Sequence, residues 1–158
     1  MAIEQVKEYF KQFGLQDKIM EFETSSATVE LAANTLGVIP ARIAKTLSFR
    51  TEDGCMLIVT AGDAKIDNSK FKQLFHRKAT MLTAQEVEEL VGHQVGGVCP
   101  FGIKPGIPVY LDVSMKRFDT VFPAAGSGNS AIEFTCEELF QYSGAKEWID
   151  VCKAWQQA

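Results

Sequence analysis

The chain has 158 residues, of which 46% are hydrophobic and 23% charged, and its formal net charge is −4. These values are ordinary for a globular protein, and we expect one domain over residues 1–158. The acidic balance excludes a broad basic surface for DNA, but it leaves open a local patch that binds one end of an RNA.

The sequence shows neither a targeting signal nor a membrane segment. Residues 1–14 have an amphipathic helical pattern instead of the apolar core of a signal peptide, and no run approaches the roughly 20 apolar residues of a spanning helix. We therefore expect a cytoplasmic protein with no membrane partner.

The first forty residues predict a helix over residues 3–13, a short strand over 18–23 and a second helix over 28–36. Gly14 and Gly37 follow the two helices at the position where glycine ends a helix. Thr28 is a residue type that caps the start of a helix.

A β-hairpin follows, because two β-rich runs, residues 43–50 and 55–62, flank an Asp53-Gly54 pair. Lys45 has the same strand parity as Leu47 and Phe49, so a charged amine shares the face predicted to be buried. Two interpretations stay open at this point. The aliphatic stem reaches water past an edge of the sheet, or the amine projects into a polar cleft where it holds an anionic group.

Helices and strands then alternate irregularly. The patterns predict helices over residues 67–75, 83–92 and 135–144, a last helix from Ala145, and strands over 107–113, 118–125 and 130–134. Thr-x-x-Glu capping boxes begin the helices at 83 and 135. Because strict β-α-β alternation is absent, we predict an α+β domain with a mixed, partly closed, barrel-like sheet surrounded by helices.

A glycine-rich stretch, residues 96–106, separates the helix at 83–92 from the next strand. Its first residues, Gly96 and Gly97, expose main-chain amides that a ligand can approach and that can stabilise an oxyanion. A plain connection is the alternative, although eleven residues is long for one. Cys99 in this stretch is a weak candidate nucleophile, because nothing nearby in sequence lowers the pKa of its thiol.

The four cysteines contain no C-x-x-C pair, and neither histidine lies near a cysteine at ligand spacing, which argues against a zinc site. Disulfides are rare in the cytosol, so we interpret the cysteines as small buried hydrophobic residues.

A second glycine-rich stretch, residues 125–131, has the G-x-G-x-x-A spacing of a dinucleotide site. That site needs a helix after the glycines, whereas a strand is predicted here, so we interpret Gly126, Ser127 and Gly128 as a tight turn. Ser127 also lacks the first glycine of the G-x-S-x-G motif of hydrolases.

Residues 65–78 form a basic window on an acidic chain, with five basic residues and one acidic residue, Asp67. Such a window suits a phosphate backbone, although a solvated helix face is the more common explanation. The basic residues are Lys65, Lys70, Lys72, Arg77 and Lys78.

Taken together, the runs AKTL, AGDAKID, GGVCPFG, VYLDV and AAGSGNSAIEFTCEEL resemble the YbaK family. These are free-standing aminoacyl-tRNA deacylases similar to the editing insertion domain of bacterial prolyl-tRNA synthetase. The resemblance extends from about Lys18 to Gly144, with the motifs in family order. Its most specific part is Lys45 together with the G-x-x-x-P loop, Gly96 to Pro100.

The resemblance implies hydrolysis of the ester between a wrong amino acid and its tRNA, with no metal and no cofactor. Lys45 would contact the 3′ end, and the loop with Gly96 and Gly97 would surround the ester carbonyl, while water is activated with help from the ribose hydroxyl. The expected catalytic residues are therefore Lys45, Gly96 and Gly97. Substrate contacts are expected from Thr46, Val98, Cys99, Pro100, Gly126, Ser127 and Gly128, and tRNA contacts from Lys65, Lys70 and Lys72.

The implied substrate is tRNA-Pro carrying a small wrong amino acid, and an aminoacyl-tRNA synthetase is a possible partner. Some family members have an acidic residue where this chain has Ala131 and an asparagine at Thr46. The resemblance therefore does not choose among alanine, cysteine, serine and a small non-protein residue. The alternative function is a module that binds the tRNA 3′ end, or a synthetase, without catalysis.

Overall fold

A mixed β-sheet surrounded by helices forms the centre of the protein, which a computed structural model describes for residues 2–155. The elements are α1 (Ala2–Lys11), β1 (Met20–Glu21), α2 (Val29–Leu36), β2 (Ile43–Thr51), β3 (Gly54–Ala61), β4 (Lys65–Ile66), α3 (Asn68–Phe75), α4 (Ala84–Leu90), β5 (Val109–Asp112), β6 (Thr120–Pro123), β7 (Ser130–Ala131), β8 (Phe134–Thr135), α5 (Cys136–Ser143), β9 (Glu147–Ile149) and β10 (Cys152–Lys153).

The main sheet has six strands in the order β8-β6-β2-β3-β5-β9. The predicted hairpin β2–β3 is its antiparallel centre, β6 and β5 lie parallel to its two strands, and β9 lies parallel to β5. The sheet curls into a half-barrel, which confirms the predicted α+β class with a mixed, partly closed sheet. Two short ladders, β1–β7 and β4–β10, lie outside it.

The helix starts follow from local side-chain chemistry. The hydroxyl of Thr28 accepts a hydrogen bond from the Leu31 amide at the start of α2. The predicted capping boxes form at α4 and α5, where Thr83 and Thr135 each exchange hydrogen bonds with a glutamate three residues later. These caps fix the ends of helices that pack on the sheet.

The core lies between the sheet and the helices. Leu57, Ile58 and Val59 of the central strand β3 are fully buried, so both faces of the sheet are covered there. Phe101 lies against Phe10 of α1 and Phe134 of β8, with ring centroids 4.8 and 5.8 Å apart. This aromatic contact anchors the glycine-rich stretch to the core.

The predicted helix after Ala145 is wrong, because this segment forms β9 and β10. The Lys146 amide donates to the Val109 carbonyl, and β9 then continues the pairing along β5. The partners lie far away in sequence, and local periodicity does not report them. The predicted strand over residues 130–134 is divided into β7 and β8, which pair with different neighbours.

Between residues 2 and 155, no helix has the length and apolar character needed to cross a membrane.

Candidate active site

A cleft of about 350 Å³ opens beside the first half of β2. Its walls are formed by residues from the start of α2, from residues 43–48 of β2, from the glycine-rich stretch and from β6 and β7. Most of the lining side chains are apolar, and Lys45 is the one charged residue among the described residues that line it. The cleft therefore suits a small, largely apolar group beside a single cation.

Lys45 lines this cleft, and its amine donates hydrogen bonds to two backbone carbonyls, at 2.6 Å to Ala64 and 3.4 Å to Gly62. The side chain is half-buried, and burial lowers the pKa of the amine from its ordinary value. All six residues 43–48 border the cleft, including residues of both strand parities. The alternation of side chains along β2 therefore does not by itself identify the residues of the site.

Gly96 and Val98 line the same cleft as Lys45, whereas Gly97 turns away from it. A Cβ atom at Gly97 would lie 2.7 Å from the backbone nitrogen and Cα of Ser127, so only glycine fits this contact. The Gly97 amide donates to the Gln94 carbonyl at 3.0 Å. The amides of Gly96 and Gly97 were both predicted to stabilise an oxyanion, but of these two residues only Gly96 lines the cleft.

Cys99 and Pro100, both predicted to contact the substrate, are buried and do not line the cleft. The Cys99 thiol lies 3.6 Å from Nε2 of His93 and from the Phe101 carbonyl, and burial raises its pKa to about 12. His93 is itself buried, with Nε2 of its ring 2.8 Å from the Phe101 carbonyl oxygen. Cys99 is thus a protonated core residue and not an activated nucleophile.

The predicted turn at residues 126–128 forms behind the cleft. Gly126 has a φ of 101°, which favours glycine, and the turn borders a second groove together with Gly97. The Ser127 hydroxyl donates to Oγ of Ser130 at 2.8 Å, and Ser130 lines the main cleft. Ser127 and Gly128 thus support the cleft wall instead of forming its surface.

Two fully buried hydroxyl oxygens in the cleft wall have no hydrogen-bond partner among the described residues. They are Oγ1 of Thr46, which was predicted to contact the substrate, and Oγ of Ser26, which was not. No sequence pattern predicted that the segment from Ser26 to Val29 lines the cleft. Its only local signal, the Thr28 cap, predicts a helix start but not the surface on which it packs.

The basic window lies outside the cleft. Lys65 and Lys72 are exposed, whereas the amine of Lys70 bonds the Asp150 carboxylate at 3.0 Å and the Cys152 carbonyl at 3.2 Å. The described residues contain no cluster of three or more histidine, cysteine, aspartate or glutamate side chains that could hold a metal ion.

Comparison with known proteins relates this chain to aminoacyl-tRNA editing proteins. The family profile described as the aminoacyl-tRNA editing domain matches residues 23–142. The uncharacterized protein YwhH of Bacillus subtilis (strain 168) is 59% identical over 157 residues, which are 99% of this chain and 100% of that protein. The matched region therefore includes Lys45, the glycine-rich stretch and the turn at 126–128.

A proline–tRNA ligase of Bacillus pumilus (strain SAFR-032) is 31% identical over 125 residues, which are 78% of this chain but only 22% of the ligase. Among solved structures, a candidate trans-editing enzyme for prolyl-tRNA synthetase superimposes with a TM-score of 0.86 at 29% identity, and the match covers 96% of this chain and 97% of that one. The hypothetical protein APE2540 gives a TM-score of 0.83 at 31% identity, with coverages of 94% and 99%.

Proposed function

Because the chain belongs to the aminoacyl-tRNA editing domain family, we propose that it hydrolyses the ester of misacylated tRNA as a free-standing editing enzyme. The observation that carries this proposal is the position of Lys45. It is the one cation among the described residues that line a largely apolar cleft, which Gly96 also borders. The cation would bind the anionic 3′ end of the tRNA, while the apolar walls receive the amino-acid side chain.

The chemistry needs little from the protein, since an aminoacyl ester is already reactive. The described residues that line the cleft include no histidine, cysteine, aspartate or glutamate, so none of their side chains is placed to act as a carboxylate or imidazole base. We infer that water attacks with help from the ribose hydroxyl of the substrate. Lys45 and the Gly96 amide would orient the ester and stabilise the charge that develops on its carbonyl oxygen.

We propose that the cleft also selects its substrate by size. A synthetase gains only about 1–3 kcal/mol of discrimination per methylene group, so a second site that admits smaller residues corrects its errors. Given the similarity to a proline–tRNA ligase and to a candidate editor for that synthetase, we propose tRNA-Pro with a small wrong amino acid as the substrate, met in the cytoplasm.

A panel of mischarged tRNAs tests the proposal, with hydrolysis of each ester measured for the wild type and for two variants. We expect Lys45→Ala and Lys45→Met to lower kcat/KM by roughly 100-fold, because both remove the cation and Lys45→Met keeps the length of the stem. Full activity of either variant, or cleavage of no ester above background, would contradict the proposal. Activity that survives EDTA would support a reaction without a metal.

A non-catalytic module that holds the tRNA 3′ end, or docks on a synthetase, is the second candidate. It is favoured by one observation, the use of the Gly97 amide within the loop, which leaves fewer donors for an oxyanion. Tight binding of mischarged tRNA without turnover in the same panel would support this alternative.

The basic window is proposed to contact tRNA phosphates. Lys65 and Lys72 are free to do so on the surface, whereas Lys70 would first have to leave Asp150. We expect Lys72→Ala to weaken tRNA binding and to reduce the slope of log K against log salt by about 0.7–0.9, with Lys70→Ala having a smaller effect. An unchanged slope for Lys65→Ala and Lys72→Ala would show that the window is only a solvated face.

A further inference from the structure

The segment from the last residue of β3 to the start of β4, residues 61–64, forms a loop that holds the amine of Lys45. Ala64 and Gly62 supply the two carbonyl oxygens that accept its hydrogen bonds, at 2.6 and 3.4 Å. A side chain as long as lysine has several rotatable bonds, so its amine is directed mainly by such acceptors. Whatever fixes this loop therefore also fixes the direction of the amine.

Arg117 fixes the loop through Asp63, which lies between the two residues whose carbonyls accept from the amine. Its guanidinium bonds both carboxylate oxygens, at 2.6 Å from Nη2 to Oδ1 and 3.0 Å from Nη1 to Oδ2. This paired geometry orients both groups as well as holding them together. The same guanidinium donates to the Ser114 carbonyl at 2.8 Å and to the Trp155 carbonyl at 3.3 Å.

Further contacts restrain both partners. The centre of the Arg117 guanidinium lies 4.8 and 5.1 Å from the ring centroids of Phe118 and Trp155. The Ala61 amide donates to Oγ of the fully buried Ser114 at 3.1 Å, which ties the start of the loop to the same turn that carries Arg117. Neither Asp63 nor Arg117 lines the cleft, so this assembly acts from behind Lys45.

The Arg117–Asp63 pair also determines how much negative charge the Lys45 amine meets. The hydrogen bond from Arg117 is the main cause that lowers the pKa of Asp63, so its carboxylate is ionised and engaged. Burial is the main cause that lowers the pKa of Lys45, and Lys65 of β4 lowers it further. Cys152 of β10, Asp63 and Glu30 of α2 act in the opposite direction and raise it. Of these groups, Asp63 lies between the two residues whose carbonyls accept from the amine.

We propose that the Arg117–Asp63 pair is a positioning device for Lys45. Arg117 holds the carboxylate of Asp63 away from the amine and keeps residues 61–64 in place, so that the two carbonyls set the direction of the amine of a side chain that lines the cleft. This inference rests on the proposed function, in which Lys45 acts on the ester. It extends the functional unit to two residues that the substrate does not touch.

Two charge-removing variants and their combination test the proposal. The titration of the Lys45 amine is followed by NMR in protein with isotope-labelled lysine, and Lys45→Met assigns its signal. Arg117→Gln leaves an unpaired carboxylate that attracts the ammonium, so we expect its titration midpoint to rise. Asp63→Asn leaves an unpaired guanidinium, so we expect the midpoint to fall, and the double variant should lie near the wild type.

Kinetics supply the second readout. We expect each single variant to lower kcat roughly tenfold to a hundredfold with KM changed less than about threefold, because the amine is displaced and not removed. Arg50→Gln is the matched control, since it breaks the Arg50–Glu86 pair near the other end of β2 and should move neither the Lys45 titration nor kcat. Thermal unfolding checks that each variant is folded.

Shifts of the Lys45 titration in the same direction in both single variants, or no shift, would overturn the inference. So would an effect of Arg50→Gln equal to that of Arg117→Gln. Opposite shifts in a protein that cleaves no ester would support the positioning of Lys45 while refuting the proposed hydrolysis. The two failures are therefore distinguishable.

Discussion

The two sides of the segment from Gly96 to Pro100 differ in their access to the cleft and in how tightly they are packed. On one side, Gly96 and Val98 border the cleft beside Lys45. On the other side, Gly97 packs without spare room on the turn at 126–128, and Cys99 is fully buried against His93. The first side is open to a ligand, and the second is built like the interior of the protein.

This difference shows that a glycine-rich motif has two distinct requirements for glycine. Gly96 has a φ of 97°, a conformation that other residues rarely adopt, and it meets the cleft. Gly97 is required for close packing, because any Cβ would collide with backbone atoms. A variant of Gly96 and a variant of Gly97 would therefore lose activity for different reasons. Three substitutions test the difference between the cleft side and the packed side.

The largest effect is expected from adding one methyl group on the packed side. Gly97→Ala would place Cβ 2.7 Å from backbone atoms of Ser127, whereas Gly128→Ala would place it 3.4 Å from the Ala27 methyl, an ordinary contact. We expect Gly97→Ala to lower the free energy of unfolding by about 1–3 kcal/mol and kcat/KM at least about tenfold, and Gly128→Ala to lower stability by less than about 1 kcal/mol. Denaturant unfolding and deacylation assays measure both, and equal effects would remove the distinction between the sides.

Cys99 gives an intermediate effect, confined to stability. Its pKa of about 12, against 9.0 for a free thiol, means that the folded state retains the proton longer than the unfolded chain. Stability from this group is complete below pH 9 and is lost as the pH rises toward 12, with a slope of up to about 1.4 kcal/mol per pH unit. Cys99→Ala should reduce that slope, cost about 1 kcal/mol at neutral pH and leave kcat unchanged.

Unfolding followed between pH 8 and pH 11 measures this dependence, and Cys136→Ala, at a half-buried position, is the control. Iodoacetamide at pH 8 should label Cys136 before Cys99. A large fall in kcat for Cys99→Ala would place its thiol in the reaction after all.

The smallest effect is expected on the open side, at Thr46. Thr46→Val keeps the shape of the side chain and removes a buried oxygen that has no partner in the described structure, so stability should be unchanged or should rise by up to about 1 kcal/mol. Thr28→Val, also in the cleft wall, removes a hydroxyl that caps α2 and should cost about 1 kcal/mol. Thermal unfolding compares the two, and a loss at Thr46 as large as at Thr28 would mean that its hydroxyl is bonded in the folded protein.

Elements with a local chemical signal were predicted well from the sequence. The Asp53-Gly54 hairpin and the capping boxes at Thr83 and Thr135 each depend on residues within a few positions of one another. β9 was mistaken for a helix, because its strand conformation depends on pairing with β5, about 37 residues earlier. The prediction failed where the deciding contact was not local.

The same rule applies to the site. Lys45 and Gly96 were singled out by a charge at a strand position and by an unusual loop, and both lie on the cleft. Nothing in the sequence near Asp63 indicates that Arg117, 54 residues later, would bind it. The motif assigned Cys99 and Gly97 to the site, but neither residue lines the cleft. A sequence motif gives the order of residues and does not show which of them face the ligand.

The short strand β10 has a consequence for how the site is assembled during synthesis. It pairs with β4, directly after the loop that holds Lys45, and Trp155 just beyond it binds Arg117 through its carbonyl. The β2–β3 hairpin, by contrast, is complete once residue 61 has been made. A nascent chain therefore completes the lysine-bearing hairpin about ninety residues before the strand that pairs with β4, so the full set of restraints behind Lys45 is assembled late in synthesis.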